Sequence, residues 1–389
     1  MVFRIKGRKG GLFAGFIFGL IFSFGSIALL VWNEGRTVKR HRDLQLGAEI
    51  VISVLSDTVD PANDGKLVHM IGETAVLEPL YDSEFGVEAE AIKLIRKAEM
   101  YQWVESSKTD DDGHKQYNYD KRWESRVIDS TNFHRGGHDN PSTMTYRSET
   151  LVADPVHCAA FAVPDFLVEM IDTEHPVPRP DLAEASEAVR NVAKLTEDHV
   201  YFGRDPGSPE VGDVRVHFKV VLPGTTSIVA QQSSDSFVSF QADHGTVDLL
   251  FEGSASAEEM FAQAEAKNTM IAWAIRGGGF VVMGIGIAML FSPLVMLTRW
   301  IPILGGLVGR GTTLIAFLLA GVVSSITVAV AWMAYRPLVG GAVLAITAVC
   351  AFFLVRALRK PNPPTPNLPA NLPSTPAPTG GPPPPLPKP

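Results

Sequence analysis

The chain has 389 residues, a net charge of −8 and 46% hydrophobic residues, which leaves room for two or three domains and one substantial core. The acids gather in the middle of the chain and the apolar residues at its two ends. This excludes a nucleic-acid surface, and no nucleic-acid partner is expected. Two cysteines, Cys158 in the middle region and Cys350 in a late apolar segment, exclude a disulfide framework.

Residues 1–10 are a short basic start, with Arg4, Lys6, Arg8 and Lys9. Residues 11–32 are uncharged and long enough to cross a hydrocarbon core of roughly 30 Å as a helix. The run outlasts an ordinary signal core and ends in Leu30-Val31-Trp32-Asn33-Glu34 rather than in spaced small residues, so a retained signal-anchor is expected. Residues 33–255 then read as a mainly β domain. Val214, Val216, Phe218 and Val220 alternate with Arg215, His217 and Lys219, the period of a strand with one buried face. Pro223-Gly224 turns the chain towards Ser227-Ile228-Val229. Met100 to Glu105 and Tyr117 to Ser125 form a second alternating pair, joined by a polar loop with Asp110, Asp111, Asp112 and Gly113. Ala48 to Val54, Lys66 to Ile71 and Val247 to Phe251 are further strand candidates. Asp181 with Glu184 reads as a capping box, and Val189, Val192 and Leu195 follow at helical spacing.

A second capping box, Ser256 with Glu259, opens an amphipathic juxtamembrane helix over residues 256–276. Its stripe of Met260, Phe261, Ala264, Asn268 and Ile271 suits either the membrane surface or the wall of the β domain. Three more spans are predicted at residues 277–297, 312–334 and 338–355. The last two are separated by Tyr335-Arg336-Pro337, which calls for a tight helical hairpin with Pro337 opening the second helix. Residues 361–389 hold half of the 28 prolines and form a disordered proline-rich tail. The chain is therefore expected to be an α+β membrane protein: one N-terminal and three C-terminal transmembrane helices, with a large extracytoplasmic domain between the first and second. Both termini are placed in the cytoplasm by Arg299, Arg310, Arg356, Arg359 and Lys360 together with the basic start. Arg36, Lys39, Arg40 and Arg42, directly after the first span, run against that assignment.

The sequence resembles one family, the LUMA proteins, known in animals as transmembrane protein 43. The marks begin at Asn33, Glu34, Gly35 and Arg36 and continue in Gly65 to Gly72. They are most distinctive at Glu99, Met100, Tyr101, Gln102, Trp103, Val104 and Glu105. Phe133, Gly137-His138, Asn140, Pro141 and Ser142, Glu210 to Asp213, and Tyr335, Arg336, Pro337 and Leu338 follow in family order. The resemblance implies four spans, cytoplasmic ends, self-association, and a role in organising membrane protein complexes rather than catalysis. It implies residence in the endoplasmic reticulum and inner nuclear membrane for a eukaryotic member, and the cell membrane for a bacterial one. The proline tail departs from the animal pattern, and lamin or emerin binding is not carried over.

Chemistry-bearing clusters are few. His134, His138 and Asp139 have metal-like spacing, but no cysteine or carboxylate pattern completes a site, and a locally hydrogen-bonded loop is the expected state. Asp110 to Asp112 lack the ligand pattern of a calcium loop. On a strand, Glu99, Tyr101, Trp103 and Glu105 share a face, which suits a packing layer against Tyr117, Tyr119 and Trp123. No catalytic, cofactor-binding or metal-binding residue is assigned, and no cofactor. The spans contain no ionisable residue in their apolar bodies, which disfavours a coupled transporter. They do contain rows of small residues suited to close helix contact: Gly11, Gly15 and Gly19; Gly284 and Ala288; Ala316, Ala320 and Ser324; Gly341 and Ala345. A scaffold that self-associates in the bilayer is the expected function. The alternative is an oligomeric passive ion channel lined by Ser23, Ser26, Ser324, Ser325 and Thr327, and the third is a membrane-anchored hydrolase.

Overall fold

A computed structural model describes residues 8–109, 114–178, 180–291, 302–335 and 337–358. The predicted proline tail, the Asp110–Gly113 turn and Arg336 lie outside them. Among the described residues six α-helices and a set of short and long strands make up the fold. Helix α1 spans Arg8–Ile50, single turns α2 and α3 span Asp165–Val168 and Glu187–Arg190, and α4 spans Ala257–Leu290. Helices α5, Pro302–Tyr335, and α6, Pro337–Leu358, are the last described elements. Among the described residues three helices are long and apolar enough to cross a membrane, within α1, α4 and α5. The fourth predicted span falls in α6, whose 22 residues reach about 33 Å.

The β-rich domain holds two seven-stranded sheets. One runs in the order Ser236–Val238, Thr225–Ser233, Leu67–Val76, Val156–Cys158, Phe161–Val163. The other runs Lys194–Leu195, Val200–Phe202, Val214–Val221, Lys93–Thr109, Lys115–Glu124. Val214, Val216, Phe218 and Val220 are buried while their neighbours are half exposed, as the alternation requires. They pack with Phe85, Leu94, Met100 and Val200 into one core, and Phe85 meets Tyr146, Phe202 and Phe218 edge-on. A second core gathers Val68, Met70, Phe161, Leu167, Ile171 and Ile228 beneath the first sheet. Burying each such side chain contributes roughly 1.5–3 kcal/mol.

Helices α1 and α4 tie this domain to the membrane. They run antiparallel along their shared length. A Cβ on Gly47 would lie 2.9 Å from Phe261 at one end, and a Cβ on Gly19 would lie 2.9 Å from the Gly286 carbonyl at the other. Helix α1 does not end at Trp32 but continues through the polar run to Ile50. The expected strand Ala48–Val54 shrinks to Ile52–Ser53, pairing parallel with Val68–His69. Helix α4 opens with the Ser256–Glu259 capping box and continues unbroken into the span. Its Met260 and Phe261 join Leu44 of α1 in a core with Leu67, Val229, Val247 and Leu249 of the domain. Of the two places open to this stripe, the first turns occupy the domain wall.

The helix expected after Asp181 is shorter than its pattern. Asp181 Oδ1 accepts from Ala183 N in a tight turn, and Ser186 N donates to Glu84 O, so the backbone is held on a neighbouring loop. Only Glu187–Arg190 is helical, and Val192 and Leu195 stay exposed.

Candidate functional site

Two constellations stand out, one where the spans meet the β domain and one on the outer face of the second sheet. The first is built on Asn33, Glu34, Gly35 and Arg36, one turn above the apolar body of α1. Glu34, 1% exposed, accepts from Arg276 Nε and Nη2 of α4, both at 2.7 Å, and from the indole N–H of Trp332 of α5. The Arg276 guanidinium lies over Trp273 at 4.9 Å and over Trp332 at 5.3 Å. Asn33 Nδ2 donates to Ala272 O, and Asn268 Nδ2 returns a hydrogen bond to Thr37 O. Three helices are thus clamped by one carboxylate where hydrocarbon gives way to headgroups, a level marked by Trp32, Trp273 and Trp332. A charge at this depth is tolerated because it is paired and hydrogen-bonded on all sides.

Below the clamp the small residues act as contact points. A Cβ on Gly284 would come 2.6 Å from the Phe317 ring, and one on Gly286 would come 2.8 Å from Ser23 N. Ala316, Ala320 and Ser324 are buried, and Ala320 packs with Leu30 and Met283. Gly15 and Ala288 are half-buried. Gly341 has open space around it and Ala345 is exposed on α6, so this row faces away from the described bundle. Gly11 lies in α1 among residues whose side chains are not described. Tyr335 and Pro337 end α5 and begin α6. Gly340 makes the return possible, since a Cβ there would sit 2.8 Å from Ala329 O.

The second constellation is the strip at Glu99 to Glu105. In the pairing register Tyr101 faces Trp123, Trp103 faces Lys121 and Glu105 faces Tyr119. The Tyr101 and Trp123 rings lie 5.2 Å apart. Arg215 covers Trp123 at 4.6 Å, and Lys121 covers Trp103 at 4.7 Å. Glu99 takes Arg215 at 2.7 Å and Lys97 at 2.9 Å. Burial works to raise its carboxyl, and the hydrogen bonds and charges from Lys97 and Arg215 outweigh it, leaving Glu99 below the usual carboxylate range. On the opposite face Met100 enters the core. Gln102, fully buried, spans from Arg126 O to Ile128 N.

Asn140 completes the edge of the strip. Its amide accepts from Trp103 N at 2.8 Å and donates to Trp103 O at 2.9 Å, replacing a strand neighbour with one side chain. Pro141 then packs on Gly212, which adopts φ +100. The Tyr119 hydroxyl donates a hydrogen bond to Glu105 Oε2 at 2.6 Å. Desolvation and that carboxylate push the phenol upward, while the same bond leads the effects that hold Glu105 low. His138 stacks on Tyr119 at 3.8 Å and His134 on Tyr117 at 4.0 Å, so the histidines spaced like metal ligands serve as ring layers. The convergent metal-type group among the described residues is instead Asp198, His199 and His217, whose ligand atoms lie within 4.8 Å of one another. The cations Arg215 and Lys97 flank it, since Arg215 lies two residues from His217 and Lys97 pairs with His217 in the strand register. His199 precedes one strand and His217 lies within the next, 18 residues on, a spacing no short motif reveals.

Burial raises the Cys158 thiol to about 11, so it packs as a hydrophobe. The face from Tyr101 to Trp123 offers aromatic and charged contact surface.

The helices and the domain between them define a multi-pass membrane protein of mixed α and β structure. The family described as Transmembrane protein 43 matches over residues 100–337. Human Transmembrane protein 43 is 34% identical over 86% of this chain and 87% of its own length, and the rat protein is 33% identical over the same shares. A fruit-fly homologue is 29% identical over 84% of the chain and 90% of its own. The chain belongs to the transmembrane protein 43 family. No solved structure matches it.

Proposed function

We propose that the protein is a non-enzymatic membrane scaffold that self-associates and organises membrane protein complexes, presenting its β domain at a fixed attitude to the bilayer. The observation that carries this reading is the unbroken passage of α1 and α4 from the membrane into the domain core at Leu44, Met260 and Phe261. A domain so held presents partners with a surface of constant height and orientation. The strip Glu99 to Glu105 with Asn140 and Pro141 is the interface determinant. Gly341 and Ala345 supply lateral contact between copies. Cross-linking in native membranes tests the proposal: a ladder of homo-oligomers with recurrent partners is expected, and a strictly monomeric product without partners would overturn it.

Both ends lie in the cytoplasm and residues 33–276 on the other side, in the cell membrane of a bacterium or the endoplasmic reticulum and inner nuclear membrane of a eukaryote. Tags at the two ends and near Gly113, probed by protease on sealed vesicles, must be cut from opposite faces. The passive-channel reading loses support from its own residues: Ser26, Ser324 and Thr327 donate to Ser23 O, Gly321 O and Val323 O of their own helices.

A further inference from the structure

The cations that follow the first span are left unexplained by the fold. Arg36 and Lys39 lie one to two turns above Trp32, on the side of the β domain, where short-loop charge normally opposes the orientation proposed above. Among the described residues neither makes an ion pair, nor does Lys267 of α4. All three open onto one groove of about 1210 Å³ between α1, α4 and the domain wall. Its remaining surface is largely apolar, with Val31 and Trp32 on α1, Met270 and Ile271 on α4 and Phe251 on the domain. Trp32 is 58% exposed and Met270 70%, at the height of the tryptophan level. The two acids in the groove are already engaged. Asp43 holds His244, and Asp248 accepts from Phe240 N.

Two polar atoms in the groove lack partners. Arg36 Nε is buried with no acceptor, and Asn268, 4% exposed, has Oδ1 buried with no donor. A native site leaves such groups unpaired where a ligand or water supplies the bond. Cations above an apolar wall at the bilayer boundary match one kind of molecule, an amphiphile with an anionic head.

We propose that this groove binds one anionic glycerophospholipid, with its phosphate among Arg36, Lys39 and Lys267 and its acyl chains passing Trp32 and Ile271 into the bilayer. A zwitterionic lipid would bring its own cation among three others, and a soluble anion would leave the apolar wall wet. Arg36 and Lys39 of the basic run after the first span are then lipid ligands, which eases its conflict with a cytoplasmic N-terminus.

The test is native mass spectrometry of the full-length protein in mild detergent micelles with added phosphatidylglycerol or phosphatidylcholine. One phosphatidylglycerol adduct should survive collision energies that strip phosphatidylcholine. The triple variant R36Q/K39Q/K267Q should retain roughly tenfold less of it, or lower still. Ile271→Trp keeps every charge and fills the acyl track, and it should lower retention with the melting midpoint unchanged. If the triple variant does not fold, the Ile271→Trp result decides. Equal retention of the two lipids, undiminished retention in Ile271→Trp, or lipid-free dimers in which a second copy covers the groove would each overturn the proposal.

Discussion

Two arginines are paired with buried carboxylates, one inside the β domain and one at the membrane boundary, and they are held differently. Arg96, in the β domain, meets three acids: buried Asp82 at 2.8 Å and the more exposed Glu84 and Glu149 at 2.9 and 2.7 Å. It also lies over Phe85 at 5.1 Å. Arg276, at the membrane boundary, has one acid, Glu34, with tryptophan rings over its face. Near water a surplus of carboxylates costs little because exposed ones are solvated and screened. At the bilayer edge each added charge needs its own partner, so the pair is kept at one to one. Redundancy is a property of the wet end and exclusivity of the dry end.

That contrast can be broken most easily at Glu34. Arg276→Leu strands the buried Glu34 carboxylate and should cost about 3–5 kcal/mol, the largest drop in melting midpoint in one detergent, and Glu34→Gln, which leaves the half-buried Arg276 without its acid, should come next. The double variant E34Q/R276L should recover a good part of the loss. Two additive losses would mean the groups do not act as a unit.

Smaller effects are expected in the β domain. Asp82→Asn should cost about 1.5–3 kcal/mol, because Asp82 also accepts from Glu84 N and Phe85 N. Glu149→Gln should stay within about 0.5 kcal/mol. If Glu149→Gln matched Asp82→Asn, the claimed redundancy would be absent. Between the spans, Gly286→Val should cost about 1–3 kcal/mol by forcing α1 from α4 at Ser23. Gly341→Val, with open space around it, should leave the midpoint within about 0.5 kcal/mol while weakening cross-links between copies.

The smallest effect is in pH. Burial, with Arg215 and His199 nearby, holds the His217 imidazolium below its ordinary value of 6.5. The unfolded chain therefore binds the proton more readily than the folded one. The contribution is full above pH 6.5 and is lost as pH falls through the depressed folded value. Glu99 acts in the same direction but only below its ordinary 4.5. His217→Gln should flatten the midpoint between pH 6.5 and 5 and leave the steeper fall below 4.5 intact. A slope unchanged in the variant would assign the effect to another group.

The parts that could be read from sequence were those whose cause is local. Period-two alternation at Val214 to Val220 and at Met100 to Glu105 became strands, and the face shared by Tyr101 and Trp103 met Trp123 and Lys121 across one hairpin. The capping box at Ser256 opened its helix. Hidden parts had their cause far along the chain. The polar run from Asn33 to Arg42 has no apolar period of its own, and it stays helical because α4, more than 200 residues later, supplies Asn268, Ala272 and Arg276 beside it. The capping pattern at Asp181 was overruled by Glu84, which draws Ser186 onto a neighbouring loop. Glu34 was legible as part of a pattern but not as an ion pair, because its partner lies 242 positions away.

Helix α1 is one rod of 43 residues, about 65 Å from end to end. Its last 18 residues, Asn33–Ile50, carry the rod about 27 Å past the apolar zone and along the domain wall without a joint. Any change in bilayer thickness that tilts the spans must then swing the domain through the same angle, and the rim farthest from the rod travels most. Membrane thickness is thereby converted into a displacement that a neighbouring molecule on that rim could feel.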